Sequence, residues 1–144
     1  MDTLLRILIF GLGLAIVIGT LFSAISTFVL PRSAPSPLNR FLFGFLRRVF
    51  EKLMRFAKTF EQKDSIFAYY APIGLMLLVP TWYALMAIGY AAMYWSLDIG
   101  DIYTSLGLSG SSLLTLGFAT SDVFLVKLLI FSEATLGLIL VALL

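Results

Sequence analysis

The chain has 144 residues, of which 60% are hydrophobic and only 12% charged, and its mean hydropathy is +1.02. A soluble domain of this size carries about a quarter of its residues as charges, so the composition is that of an integral membrane protein. With no Cys and no His, thiol chemistry, disulfides and the usual zinc or haem ligands are excluded. The net charge of +2 says less than its placement: eight of the ten basic residues lie between Arg32 and Lys63, against Glu51 and Glu61 in the same window.

Leu4 to Leu30 is almost wholly apolar, interrupted by Arg6 and a few hydroxyls. A helix needs about 20 such residues to cross the hydrocarbon, so this run is ample. The only early cation, Arg6, is offset by Asp2, and the apolar stretch exceeds the ~7–15 residues of a signal-peptide core. It therefore reads as a retained span. Gly11, Ala15, Gly19, Ser23 and Thr27 recur every four residues, which predicts a small-residue ridge against which another helix can pack.

Pro31-Arg32-Ser33-Ala34-Pro35-Ser36-Pro37 ends the helix and forms an extended polar connector, because proline stops a helix and restricts the residue before it. From Leu38 to Phe60 a helical period returns. Arg40, Arg47, Arg48, Lys52, Arg55 and Lys58 share one side, while Phe41, Phe43, Leu46, Phe50, Leu53 and Phe60 help fill the other. Such a helix belongs in the interface of an anionic leaflet, packed on the inner end of the protein, or both. Nucleic acid is a poor partner for it, since so much Phe and Leu would have to be buried elsewhere.

Ile66 to Leu97 is the second span. Pro72 and Pro80 either bend it or mark an interfacial first turn, and Tyr69 and Tyr70 at one end, with Tyr94 and Trp95 at the other, resemble two aromatic belts. Asp98-Ile99-Gly100-Asp101 breaks the helix, and Asp101 can cap a short new one from Ile102 to about Leu114. Val123 to Leu144 is the third span. It carries Lys127 and, near mid-depth, Glu133, a position where an ionisable group normally faces protein or water. The final Val141-Ala142-Leu143-Leu144 has no basic anchor, which leads us to expect further natural chain beyond it.

Between the last two spans lies a Ser- and Gly-rich stretch, Ser109 to Asp122, too short and too hydroxylated to cross a bilayer. Irregular backbone at membrane depth must be enclosed by protein or line a watery cavity, which predicts a re-entrant loop over 98–122. Within it Thr115-Leu116-Gly117-Phe118-Ala119 resembles the potassium-channel filter T-V-G-Y-G, matching at Thr115 and Gly117 with conservative changes at Leu116 and Phe118. It departs at Ala119, where the family has a second glycine, and Asp122 stands two places later than the family's aspartate. The resemblance covers roughly residues 66–144. It implies four such modules about one axis, hence a homotetramer, with Thr115, Leu116, Gly117 and Phe118 coordinating a monovalent cation through their carbonyls and the Thr115 hydroxyl as an innermost ligand. Glu133, Ser112, Ala119 and Asp122 would support that strip, Glu133 as a brace, and Gly137 would serve as an inner-helix hinge. The bland readings are a packed hairpin without an ion, serines bonded back to their own helix, Glu133 paired with a hydroxyl or Lys127, and Gly137 as a close-packing residue. At Ala119 the missing glycine is expected either to strain the outer strip or to let it relax into a wider mouth.

Together these readings give an all-α membrane protein: three transmembrane helices, a re-entrant pore helix with a filter-like loop, and a cytosolic interfacial helix. Its segments are an N-terminal span (1–31), a connector with the basic helix (32–65) and a pore module (66–144). Basic loops stay cytosolic, so residues 32–65 and the C-terminus are expected inside, with the N-terminus and the 98–122 loop outside. The function expected is a tetrameric cation channel, most simply for potassium with weakened selectivity, needing no cofactor beyond the permeant ion, with anionic lipid at the basic helix. The alternatives are a non-conducting pore-fold subunit and a proton-coupled transporter subunit using Glu133 and Lys127. Catalysis is not expected, because no base, nucleophile and orienting group converge. No span carries the spaced arginines of a voltage sensor.

Overall fold

Among residues 3–28, 37–54 and 59–143, which the computed structural model describes, every regular element is a helix. They are α1 (Thr3–Phe28), α2 (Pro37–Met54), α3 (Phe60–Ala68), α4 (Tyr70–Ser96), α5 (Ile102–Leu113) and α6 (Phe124–Ala142). Three stretches are long and apolar enough to cross a membrane: Thr3–Thr27, Asp64–Ser96 and Phe124–Ala142. With 12 residues, α5 rises only about 18 Å, well short of a ~30 Å hydrocarbon core. Residues 31–36 of the proline connector, and Arg55, Ala57 and Lys58 of the basic segment, lie outside the described residues.

The elements start and stop where local chemistry dictates. Pro37 opens α2, a first-turn position where its missing N–H costs nothing. Pro72 lacks the N–H that would bond the Ala68 carbonyl, and its ring crowds that carbonyl. Hence α3 ends at Ala68 and α4 restarts at Tyr70, with Pro72 in its first turn, whereas Pro80 is accommodated inside α4. The expected boundary between the basic segment and the second span therefore falls inside a separate short helix, α3. At the other end Asp98 (φ 66°) and Gly100 (φ 71°) take left-handed conformations that turn the chain from α4 into α5. Asp101 caps α5, accepting from the Thr104 backbone N–H at 2.9 Å and from the Thr104 hydroxyl at 2.6 Å.

At the centre, α4 packs on α1 most extensively and also on α2, α3, α5 and α6. Its Leu78, Trp82, Met86 and Tyr94 are fully buried. The α1–α4 crossing is set by two glycines. A Cβ on Gly13 would sit 2.5 Å from the Gly89 carbonyl, and one on Gly89 would sit 3.0 Å from the Gly13 carbonyl.

This contact corrects the predicted ridge. The buried row of α1 runs Gly13, Val17, Thr20, Ala24, while Gly11, Ala15 and Gly19 are exposed. A strict four-residue step advances about 40° around a helix, so five such residues fan over about 160° and cannot share one face. Steps of four, three and four hold the seam, and only Ser23 and Thr27 of the predicted ridge lie against neighbours. There Trp82 donates from Nε1 to Ser23 Oγ at 3.3 Å, Ser23 donates to Asn39 Oδ1 at 3.2 Å, and Asn39 Nδ2 donates to Thr27 Oγ1 at 2.6 Å. This polar cluster fastens the start of α2 to α1 and α4. At the opposite end of α1, Arg6 pairs with Asp98 at 3.1 Å.

Candidate functional site

Glu133 is fully buried near the middle of α6. A carboxyl there must find donors, because a polar group in apolar surroundings is costly without them. Tyr94 of α4 donates its hydroxyl to Oε2 at 2.7 Å, and Ser109 of α5 donates to Oε1. Ser109 Oγ also lies 3.1 Å from the Ala87 carbonyl of α4. One side chain thereby joins three helices.

Two more tyrosines of α4 reach α6: Tyr90 shares a hydrogen bond with Ser132 at 2.9 Å, and Tyr83 donates to the Gly137 carbonyl at 2.8 Å. Tyr94 is thus not the interfacial aromatic that its place in the sequence implied. Its ring is buried in the core and its hydroxyl is spent on α6. Sequence did hold the signal, since Tyr83, Tyr90 and Tyr94 follow at steps of seven and four and so share one helix face.

The last turn of α5 organises the segment that follows. The Thr115 N–H donates to the Ser112 carbonyl at 3.0 Å, and those of Leu116 and Gly117 donate to the Ser111 carbonyl at 2.8 Å and 3.4 Å. Ala119 N–H donates to Ser111 Oγ at 3.0 Å. The N–H groups of Thr115, Leu116, Gly117 and Ala119 are therefore turned back on α5. Among the described residues, no hydrogen bond is accepted by the carbonyls of Thr115, Leu116, Gly117 or Phe118. Thr115 (φ 54°) and Gly117 (φ 71°) are left-handed, whereas Leu116, Phe118 and Ala119 are not. The Thr115-to-Ser112 and Leu116-to-Ser111 bonds are those of a Schellman helix end, in which the left-handed Thr115 costs about 1–2 kcal/mol. Ala119 carries no such strain.

The remaining expected residues are spread around this strip. Ser112 bonds back to the Leu108 carbonyl at 2.8 Å, the ordinary fate of a membrane serine. Of the serines expected behind the strip, Ser111 makes the contact to it. Asp122 is fully exposed and pairs with Lys127 at 3.3 Å, so Lys127 and Glu133 have separate partners. Gly137 lies against the end of α5, where a Cβ would run into the Leu113 carbonyl, and in this state it acts as a close-packing glycine. Leu114, Leu116 and Phe118 are exposed at 54%, 61% and 71%, which for large apolar groups marks a surface that needs covering. No group of three or more acidic residues that could hold a metal occurs among the described residues. What the site offers a cation is carbonyl oxygen, next to the partly negative C-terminal end of α5.

The helices and their apolar surfaces are consistent with a multi-pass, all-α membrane protein. Compared with protein-family models, with curated proteins and with solved structures, the chain matches none.

Proposed function

We propose that the chain is one subunit of a homotetrameric cation channel, most simply for potassium. In this reading α5 is a re-entrant helix, residues 114–122 form the filter-like loop, and α6 lines the inner pore. The observation that carries the reading is the asymmetry of the strip: the N–H groups of Thr115, Leu116, Gly117 and Ala119 are satisfied by α5, while the carbonyls of Thr115 to Phe118 accept nothing from the described residues. Peptide carbonyls are obligatory acceptors, and carbonyl rings that replace the hydration shell are how such channels hold a permeant ion. One strip covers one side of an ion, so four chains complete the cage.

The exposed Tyr103, Phe124, Leu125 and Phe131 on α5 and α6 supply apolar surface for neighbouring subunits. Glu133 braces the loop by fixing α5 to α4 and α6. With the basic α2 in the cytosol, the α4–α5 connection and Asp122 face outward. No observation favours a proton path through Glu133 and Lys127, whose partners are different.

The test is thallium flux through purified protein in liposomes. Rapid, non-saturating flux is expected. Sealed vesicles holding correctly assembled tetramer would refute conduction and leave a non-conducting subunit, and saturable, proton-coupled movement would assign a transporter.

A further inference from the structure

Helix α2 is held by one face and leaves another uncovered. Its inner face, Asn39, Leu46 and Phe50, is buried. It is clamped at the start by the Asn39 bonds to α1. Further along, Tyr70 of α4 donates to the Phe43 carbonyl at 3.1 Å and meets the Phe50 ring edge-on at 5.5 Å. The helix therefore cannot roll, and the direction of its outer face is fixed. On that face Phe41, expected opposite the cations, instead joins Phe45, Arg48 and Lys52 at steps of four, three and four, which makes a single row. Phe41 is 75% and Phe45 58% exposed.

The row is aromatic in its first half and basic in its second. A cleft of about 370 Å³ lies where the halves meet, lined by Phe45, Arg48, Val49, Glu51 and Lys52. Glu51 does not cancel the cations, because Arg47 on the other flank holds its carboxylate at 2.8 Å. Arg48 and Lys52 have no ion-pair partner among the described residues.

We infer that this row is a binding site for an anionic phospholipid of the leaflet against α2, with Arg48 and Lys52 on the phosphate headgroup and Phe45 and Val49 along the upper acyl chain. Charge complementarity selects the anion. The exposed phenylalanines select a lipid over a soluble anion, since a free phosphate or acidic peptide would leave them in water. The row is also continuous with lipid-facing surface, because α2 packs on α4 within a molecule whose spans expose apolar residues throughout. The inference rests on the membrane-spanning character of the chain and not on ion conduction.

The experiment is native mass spectrometry of the full-length protein in detergent, titrated with short-chain phosphatidylglycerol, short-chain phosphatidylcholine or inorganic phosphate. Phosphatidylglycerol should bind, phosphatidylcholine far more weakly, and phosphate should not compete. The double variant R48A/K52A should weaken phosphatidylglycerol binding about thirtyfold, the sum expected of two basic residues at an anionic surface. Lys127→Ala, on α6 and paired with Asp122, should leave it unchanged, and Phe45→Ser should weaken it. Equal binding of both lipids, full competition by phosphate, or wild-type affinity in the double variant would each overturn the site. None of these readouts involves flux, so failure here leaves the channel reading standing, and a non-conducting protein could still pass.

Discussion

Glu133 draws its importance from where its two donors come from. Tyr94 and Ser109 sit on different helices, so removing either donor loosens a junction of three. Tyr94→Phe keeps the ring in the core and removes only the hydroxyl. It should lower unfolding stability in detergent by about 1 kcal/mol, the scale of a single hydrogen bond inside a membrane protein. Glu133→Gln should cost less, because the amide oxygen accepts from Tyr94 and the amide nitrogen can donate to Ser109. A Tyr94→Phe protein as stable as wild type would show that the junction contributes nothing.

At Ala119 the strain expected of a left-handed conformation is absent, since its φ is not positive and its N–H is taken up by Ser111. Ala119→Gly should therefore release a constraint at the outer end of the strip. On the channel reading, reversal potentials in mixed potassium and sodium should then show the variant to be more potassium-selective. A wild-type pore already strongly selective, and unchanged by this substitution, would reject the argument.

Helix α5 shows what made an element legible in the sequence. Its start was readable because the whole signal lies within four residues: Asp101 caps, and Thr104 supplies both the N–H and the hydroxyl. Those bonds, the Thr104 hydroxyl first, hold the Asp101 carboxyl below its usual value of 3.8. A lowered carboxyl pKa adds stability that is complete above the unfolded value and is lost as pH falls through the folded one. The cap should therefore weaken below about pH 4, whereas Asp101→Asn caps without titrating. The difference in thermal midpoint between wild type and Asp101→Asn should shift against wild type from pH 6 to pH 3. A constant difference would exclude the linkage.

The features that escaped the sequence depend on distant partners. Tyr94 has the same chemistry at a membrane interface as beside a buried carboxyl, and the carboxyl is 39 positions away. The face of α1 was misjudged for a related reason, because Gly89 chooses Gly13 and nothing local to α1 marks that glycine above Gly11 or Gly19. The break at Tyr69 was half legible, since Pro72 announced an irregularity without saying on which side of it the helix would resume.

At the scale of the molecule, α4 separates two kinds of contact. Its α1 side is a glycine crossing with little polar chemistry near Gly13 and Gly89, while its α6 side is held by the hydroxyls of Tyr83, Tyr90 and Tyr94. Backbone contact of the first kind tolerates no added atom. Hydroxyl contact of the second kind can break and re-form without displacing backbone.

The glycine crossing also has a consequence in time. Both of its halves lie before Leu97, so they are synthesised before α5 and α6. At roughly 5–20 residues per second, the stretch from Leu97 to Ala142 takes about 2–9 s to synthesise. During that interval α1 and α4 can close on each other, and the later helices are added to a template that Gly13 and Gly89 have already set. A bulky residue at either glycine would spoil the α1–α4 contact on which the later helices are laid, whereas one at Gly137 would act only on the packing of α6 against α5.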